Sequence, residues 1–108
     1  MKYDDFDKLV DYIFNRIKTV MCSKSEEYAT GEDKLHNFYR SAEMDGISPI
    51  EALRGMDLKH RTSISDMLDE LETKEYSQER WEEKTLDHIN YMILMYALLY
   101  ERYGWSHD

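Results

Sequence analysis

The side chains best suited to chemistry lie in the last strongly apolar segment, residues 81–103. This segment is apolar on all sides from Ile89 to Tyr100 except at Asn90, whereas its first half carries Glu83 and Asp87. A helix that is apolar all round is buried among other helices, and a carboxylate or amide entering a core must be paired, solvated or bound to a ligand. The spacing of Glu83, Asp87 and Asn90 places them on one helical face. This face is therefore a candidate site.

A second candidate group lies on the helix predicted for residues 49–72, where His60 sits in an otherwise apolar row. The apolar members of this row are Leu53, Met56, Ile64, Met67 and Leu71. A histidine in such a row is either a packed, hydrogen-bonded core residue or part of a site. The short connection at residues 73–76 predicts that this helix pairs antiparallel with the helix at about 78–103. That pairing brings His60 and Ser63 near the start of the apolar part of the last helix.

Carboxylates offered by two facing helices at one level can hold Mg²⁺ through oxygen ligands, and the ion then holds substrate phosphates. The last helix offers Glu83 and Asp87 at a spacing of four residues, whereas the facing helix offers His60 and Ser63. The Mg²⁺ site predicted from these two helices is therefore incomplete.

Basic side chains suited to phosphate binding lie on or near the same segments, because the Arg fork and the Lys point charge both bind phosphate. They are Lys24, Lys34, Arg40, Arg54, Lys59 and Arg61. One interpretation makes them phosphate ligands, and another makes them ordinary surface ion pairs of an acidic protein. A third interpretation is a buried polar network that fixes the core without a ligand; its members would be Glu27, Asn37, His60, Asp87 and Asn90.

The elements that must position these side chains are helices. Among 108 residues there are only one Pro and four Gly, and scarce helix breakers predict an all-α protein of long helices. The length predicts one domain over residues 1–108. Apolar periodicity places helices at about 4–22 with a continuation to 28, at 34–44, at 49–72 and at 78–103. We expect a compact four-helix bundle-like domain around the apolar last helix.

Local signals mark several helix ends. Ser48-Pro49-Ile50-Glu51 is a capping box with Pro at the first helical position. Ser77 is placed to cap the last helix, and Gly31 and Gly46 are suited to helix C-termini. Residues 104–108 are predicted to be a frayed tail.

The charge distribution bears on which classes of partner the chain can bind. A net charge of −9 argues against nonspecific binding to nucleic acid or anionic lipid. Between Asp66 and Glu83 there are eight acids against Lys74 and Arg80. This stretch is either a solvated hairpin surface or an acidic surface that imitates nucleic acid or docks a basic partner.

Other features bear on compartment and assembly. The single Cys22 allows no disulfide framework and favours a reducing cytoplasm. The N-terminus lacks the apolar run of a signal peptide, and the Ile89–Tyr100 run is shorter than the ~20 residues that a membrane span needs.

Tyr96, Tyr100 and Tyr103 form an aromatic stripe on the last helix, and the chain contains seven Met. Together these residues predict an exposed apolar face and a homo-oligomer.

The sequence also resembles a known family. The motifs are Lys24-x-x-Glu27-Tyr28, Leu35-His36-Asn37-Phe38, Lys59-His60 and Glu83-Lys84-x-x-Asp87-x-x-Asn90-Tyr91. Together they are similar to small phage and prophage proteins of a nucleotide-modification-associated domain family, which is related to the all-α MazG-like nucleotide pyrophosphatases. The resemblance covers residues 24–100.

The resemblance implies roles for named residues. MazG-like enzymes carry Glu-x-x-Glu on one helix and Glu-x-x-Asp on its partner, and these acids bind Mg²⁺ for attack of water on a nucleoside triphosphate. Here Asp87 matches the last acid, and Lys84 stands where a Glu belongs. The implied sites are catalytic (His60, Glu83, Asp87), metal-binding (Glu27, Glu83, Asp87) and nucleotide- or phosphate-binding (Lys24, Asn37, Arg54, Lys59, Arg61, Lys84, Asn90).

The sequence therefore predicts a phage-type MazG-like protein of the bacterial host cytoplasm. It would bind a nucleotide or modified nucleotide, with Mg²⁺ as the candidate cofactor, and would be at most a nucleoside triphosphate pyrophosphohydrolase. Binding without hydrolysis is an equal expectation, because the set of acids departs from the family pattern. The alternatives are a non-enzymatic acidic phage effector that binds and inhibits a host protein, and a structural helical module.

Overall fold

The computed structural model describes the backbone of residues 1–28 and 33–107 and the side chains of residues 1–21 and 33–107. It contains four helices, α1 (Tyr3–Tyr28), α2 (His36–Asp45), α3 (Pro49–Asp69) and α4 (Gln78–Tyr103), and these ranges include no strand. The all-α prediction is confirmed. The chain divides into two compact units, residues 1–34 and 35–108. The role predicted for Gly31 lies outside the described residues.

The first unit is built on α1. Asp4 and Asp5 lie in its first turn, where negative charge favours the helix N-terminus, and the N–H of Phe6 donates to the carbonyl of Lys2 at 3.0 Å. The helix runs on to Tyr28, as the predicted continuation requires. At the other end of the unit, Lys34 Nζ donates to the carbonyl of Met21 at 3.5 Å.

The caps of the second unit follow the predicted signals. Ser48 Oγ accepts from the N–H of Glu51, and Ser77 Oγ accepts from the N–H of Arg80, both at 3.1 Å. Each bond satisfies one of the N–H groups that the first turn of a helix leaves without a partner. The starts of α3 and α4 are therefore confirmed at Pro49 and Gln78.

Left-handed glycines end α2 and α4. Gly46 has φ +67° and donates its N–H to the carbonyl of Ala42, while Gly104 has φ +64°. A residue with a side chain is strained in this conformation, which is why Gly is common directly after a helix. The end of α2 thus comes one residue after the predicted Met44, at Asp45.

The core of the second unit is formed jointly by α2, α3 and α4. Its buried residues are Leu35, Phe38, Leu53, Leu94 and Leu98. Leu53, early in α3, shares this core with Leu98, late in α4, so the two helices run antiparallel as predicted. The phenolic O–H of Tyr39 on α2 also donates to Glu101 Oε2 on α4 at 2.6 Å.

The turn between α3 and α4 is more structured than its sequence suggests. α3 ends at Asp69, short of the predicted Glu72, because the N–H groups of Leu71 and Thr73 donate to carbonyls three residues back, at 3.4 and 3.1 Å, in place of the helical spacing of four. Glu70 Oε2 accepts from Tyr76 Oη at 2.7 Å and pairs with Lys74 Nζ at 3.2 Å. These bonds lower the pKa of Glu70, the Tyr76 hydroxyl being the main cause and Lys74 the next.

The prediction of a frayed C-terminal tail is wrong for its described residues. The N–H of Trp105 donates to the carbonyl of Tyr100 at 3.1 Å. The Trp105 ring lies 5.8 Å from the Tyr96 ring, and His107 Nε2 lies 3.0 Å from Tyr96 Oη. The segment after Gly104 thus folds back along the tyrosine stripe, because aromatic contacts offset the entropy that ordering a tail costs.

The outer face of this aromatic stripe is exposed, as the sequence predicts. Tyr96, Tyr103 and Trp105 are all exposed despite their mutual contacts. The homo-oligomer predicted from this exposed face stays a prediction. Separately, the helices within the described ranges include none with the length and apolar character that crossing a membrane requires.

Two glycine substitutions should have opposite effects on stability. Gly46→Ala should lower the free energy of unfolding by about 1–2 kcal/mol, because Ala is strained at φ +67° although its Cβ would meet no atom. Gly55→Ala, the matched control, lies inside α3 with open space around the new Cβ, and it should add about 0.5–1 kcal/mol. Urea unfolding of both variants measures the difference, and equal effects would contradict the assigned backbone conformations.

The turn should make stability depend on pH. The folded pKa of Glu70 lies below its ordinary value of 4.5, so the stabilisation from its ionised form is present above that value and is lost as pH falls through the folded pKa. Glu70→Gln should therefore destabilise the protein at neutral pH and have a much smaller effect in strong acid. Urea unfolding across this range, with the exposed acid variant Glu75→Gln as control, tests it; a Glu70→Gln effect that is independent of pH would count against the turn geometry.

Candidate functional site

His60 on α3 and Asp87 on α4 lie side by side, as antiparallel pairing predicts. His60 Nδ1 is 3.6 Å from Asp87 Oδ2, and both side chains are largely buried, with 24% and 17% exposed. This distance allows electrostatic attraction when the imidazole is protonated but is too long for a hydrogen bond. The His60 ring also lies 4.9 Å from the Tyr91 ring at an angle of 37°.

Asp57 belongs to the same group and is absent from the sites predicted from the sequence. It is 7% exposed and is the buried charged residue of the described core. Arg61 Nε pairs with Asp57 Oδ2 at 3.3 Å, and the Arg61 side chain remains 49% exposed. Asp57 Oδ1 is closed to solvent and has no hydrogen-bond partner among the residues that the structure describes.

A signal for Asp57 was present in the sequence. The apolar row predicted for this helix passed through Met56, yet Leu53, Asp57 and His60 also follow helical spacing, at i, i+4 and i+7. In the structure Met56 is exposed and Asp57 is buried. An acid in line with a buried Leu and a half-buried His was therefore the available clue.

The pKa of Tyr91 links both helices to this site. Burial raises the pKa of the Tyr91 hydroxyl above its ordinary value, and the negative charges of Asp57 and Asp87 raise it further. Both carboxylates therefore lie within electrostatic range of one phenol, and each helix contributes one of them. We call Asp57, His60, Arg61, Asp87 and Tyr91 the seam cluster.

Asn90, one turn beyond Asp87 on α4, adds another polar atom in a protected place. Asn90 Oδ1 and His88 Nδ1 are closed to solvent without a hydrogen-bond partner in the described part of the chain, as is His60 Nδ1. Buried polar atoms in folded proteins are normally paired with protein or water. Asn90 Oδ1 can therefore accept a further hydrogen bond, and each histidine nitrogen can donate or accept one according to its tautomer.

The other predicted phosphate ligands are not drawn into the seam cluster by any bond of the described residues. Arg54 is exposed and pairs at 3.1 Å with Glu51 of its own helix. Asn37 and Lys59 are exposed, whereas Lys84 is partly buried. The predicted ligand Lys24 has a side chain outside the described residues.

Two further basic residues from the sequence analysis are engaged near home. Lys34 donates to a backbone carbonyl within the first unit. Arg40 pairs with Glu43 on α2 at 3.2 Å, and both side chains are exposed. An exposed pair such as Arg40 with Glu43 contributes little to stability. Arg40 is therefore able to exchange Glu43 for another anion.

The predicted metal ligands do not form a Mg²⁺ site in the described part of the chain. No three His, Cys, Asp or Glu side chains within it are arranged to hold a metal ion. Glu83 is exposed and Asp87 is largely buried beside His60. The side chain of Glu27, the remaining predicted ligand, lies outside the described residues. The donor set on α3 and α4 therefore does not fit Mg²⁺ by itself.

The acidic stretch from Asp66 to Glu83 is partly committed to the α3–α4 turn. Glu70 is held by Tyr76 and Lys74, and Arg80 lies over the Tyr76 ring at 5.8 Å. Its remaining described acids include the exposed Asp69, Glu72 and Glu75. A host-protein docking role for this surface stays a prediction.

No protein-family model matches this chain, and no curated protein or solved structure matches it either. Function must therefore be argued from the site geometry.

Ionisation of Tyr91 tests the composition of the seam cluster. Because its folded pKa lies above the ordinary value of 10.0, the stability linked to its proton is complete below that value and is lost as pH rises through the folded pKa. Tyr91→Phe should remove part of the late tyrosinate absorbance in an alkaline titration and should flatten the loss of stability at high pH.

The exposed Tyr3→Phe provides the matched control and should keep the late component. Asp57→Asn should shift the Tyr91 transition to lower pH, because it removes one of the two negative charges that oppose ionisation. An unchanged transition in Asp57→Asn would contradict the placement of Asp57 near the Tyr91 hydroxyl.

Proposed function

We propose that the seam cluster, with Asn90 beside it, binds a nucleotide or another small phosphorylated ligand. One observation carries the proposal: a polar group held between two packed helices retains unfilled hydrogen-bonding capacity beside a half-exposed arginine. Burial of such atoms without partners is unfavourable, so a ligand that supplied the missing bonds would gain affinity there. This proposal agrees with the nucleotide-related family that the sequence resembles.

The two parts of a nucleotide suit different parts of the cluster. Rings such as those of His60 and Tyr91 offer flat surfaces on which a base can stack, and carboxylate or amide groups can recognise base edges. Arg61 is the phosphate ligand of the proposal, since about half of its side chain is exposed and its contact with Asp57 runs through Nε. Lys84, partly buried on α4, would supply a second positive charge.

The proposal concerns binding and not hydrolysis. The acids described on α3 and α4 do not make the metal-ligand set that MazG-like enzymes use, so no hydrolytic step follows from them. A ligand drawn from the nucleotide pool would place this protein in the cytoplasm of the bacterial host. Direct binding to nucleic acid is not part of the proposal, because the chain carries a net charge of −9.

The competing explanation is a polar network that only specifies how α3 packs on α4. Such networks can fix register and rigidity without any ligand. They differ from a binding site in what a substitution changes: a structural network affects stability alone, whereas a binding site also affects ligand affinity.

Calorimetric titration of the full chain with a panel of nucleoside mono- and triphosphates, with and without Mg²⁺, tests the proposal. At least one nucleotide should bind with a Kd below the millimolar range. Asp87→Asn should weaken that binding by about tenfold or more, because it removes the charge beside His60. The exposed Glu72→Gln, remote from the seam cluster, should leave affinity unchanged.

Two outcomes would oppose this function. The first is the absence of heat or any other binding signal for the whole panel at millimolar concentration. The second is an Asp87→Asn protein with a large loss of stability in urea but an unchanged nucleotide affinity, which would indicate the purely structural network.

A further inference from the structure

Among the described residues, the carboxylate oxygen Asp57 Oδ1 is buried and unpaired. The Asp57 side chain is nine-tenths buried, with 10% of it exposed, and Arg61 occupies its other oxygen. Oδ1 itself is closed to solvent and has no partner within the described residues. An ionised carboxylate oxygen only accepts hydrogen bonds, so the group that completes this site must be a donor.

The charges around Asp57 define which part of a ligand can approach. On α3, Arg61 pairs with Asp57, and His60 lies 3.6 Å from Asp87 of α4. Burial raises the pKa of the Tyr91 hydroxyl on α4, and the charges of Asp57 and Asp87 add to this effect. Two carboxylates repel a phosphate from the interior of the seam cluster, whereas they attract an N–H donor. The anionic part of a ligand is therefore directed outward, toward Arg61.

Access to Oδ1 requires a side chain to move, since the oxygen is closed to solvent. Arg61 is suited to this movement, because about half of its side chain is exposed and it contacts Asp57 through Nε. A phosphate that bound the terminal nitrogens of the guanidinium would draw them outward while Nε stays on Oδ2, and this movement would uncover Oδ1 at the same time. One residue would thus bind the phosphate and open the base site.

We infer that the seam cluster selects nucleotides whose base carries an exocyclic amino group, of the cytosine or adenine class, through donation from that group to Asp57. This inference rests on the proposed nucleotide-binding function and names its ligand class. Cytosine and adenine present an amino donor on the edge where thymine presents a carbonyl acceptor. A carbonyl facing Asp57 would place two acceptors together and leave both unpaired in a buried site, which is unfavourable.

Matched ligands test this group. Cytidine and uridine monophosphates differ by an amino group in place of a carbonyl and by the N–H that uridine carries at the adjacent ring nitrogen, and adenosine and inosine monophosphates form the corresponding purine pair. In calorimetric titration of the wild-type chain, the amino-bearing member of at least one pair should bind about ten- to a hundredfold more tightly than its carbonyl partner. This comparison needs no variant, so it stands even if a substitution prevents folding.

Asp57→Asn should reverse the preference. Arg61 can only donate, so it should hold the amide oxygen of the new side chain and turn the amide nitrogen toward the position of Oδ1. The site would then present a donor, which suits the carbonyl of uridine or inosine monophosphate. Glu51→Gln is the matched control, because it makes the same acid-to-amide change at an exposed acid that pairs with Arg54 on the same helix, and it should leave the ratio of affinities unchanged.

The outcomes separate this inference from the function on which it rests. If nucleotides bind but both pairs bind with equal affinity, the selection by Asp57 is refuted while nucleotide binding stands. If amino-bearing ligands are preferred and folded Asp57→Asn keeps the same ratio, Asp57 does not recognise the base and the inference fails. If no nucleotide binds at all, the proposed function fails, and the inference falls with it.

Discussion

The antiparallel packing of α3 on α4 is the constraint on which the rest of the second unit depends. Leu53 shares a buried cluster with Leu94 and Leu98, and this apolar contact sets the register of the two helices. Once that register is set, the residues one and two turns further along α3 must face the first half of α4. The contact between His60 and Asp87 is thus a consequence of hydrophobic packing, because the attraction across 3.6 Å is too weak to impose a register alone.

The same packing explains why polar groups are tolerated within the seam. Helices held together by leucines at one end and by the Glu70–Tyr76 turn at the other can keep a polar segment between them. The partial pairing of Asp57 with Arg61 lowers the cost of burying a carboxylate without satisfying both of its oxygens. A fully apolar interface between α3 and α4 would cost less free energy to bury. These polar groups therefore either specify the packing of the helices or bind a ligand.

The acidity of the chain acts at two different levels. On the surface, pairs such as Arg54 with Glu51 are exposed and contribute little, so net charge mainly governs which partners can approach. Within the seam, two carboxylates share a poorly solvated region, where each has a larger effect on its neighbours. Burial raises the pKa of the Tyr91 hydroxyl, and the negative charges of the two carboxylates, Asp57 and Asp87, raise it further. The location of the acids, more than their number, therefore decides what the site can bind.

Much of the architecture could be predicted from the sequence, because its causes are local. The Ser48 and Ser77 caps depend on residues within one turn, and the apolar character of α4 depends on its own composition, so helix starts and the antiparallel pair were predictable. The position of Asp87 next to His60 followed from the short connection. The phosphate and metal roles predicted for the remaining residues had no such local cause, and Arg54 pairs instead with Glu51 of its own helix.

Only the tertiary structure decided which face of α3 is buried. Two helical rows were compatible with the sequence, one through Met56 and one through Asp57, and rows one residue apart differ by about 100° around a helix. Packing against α4 buries the row of Asp57 and leaves Met56 exposed. The C-terminal tail was likewise decided by contacts between its rings and Tyr96. The sequence by itself therefore determined the helices and the pairing of His60 with Asp87, whereas long-range packing determined that a buried carboxylate lies in the candidate site.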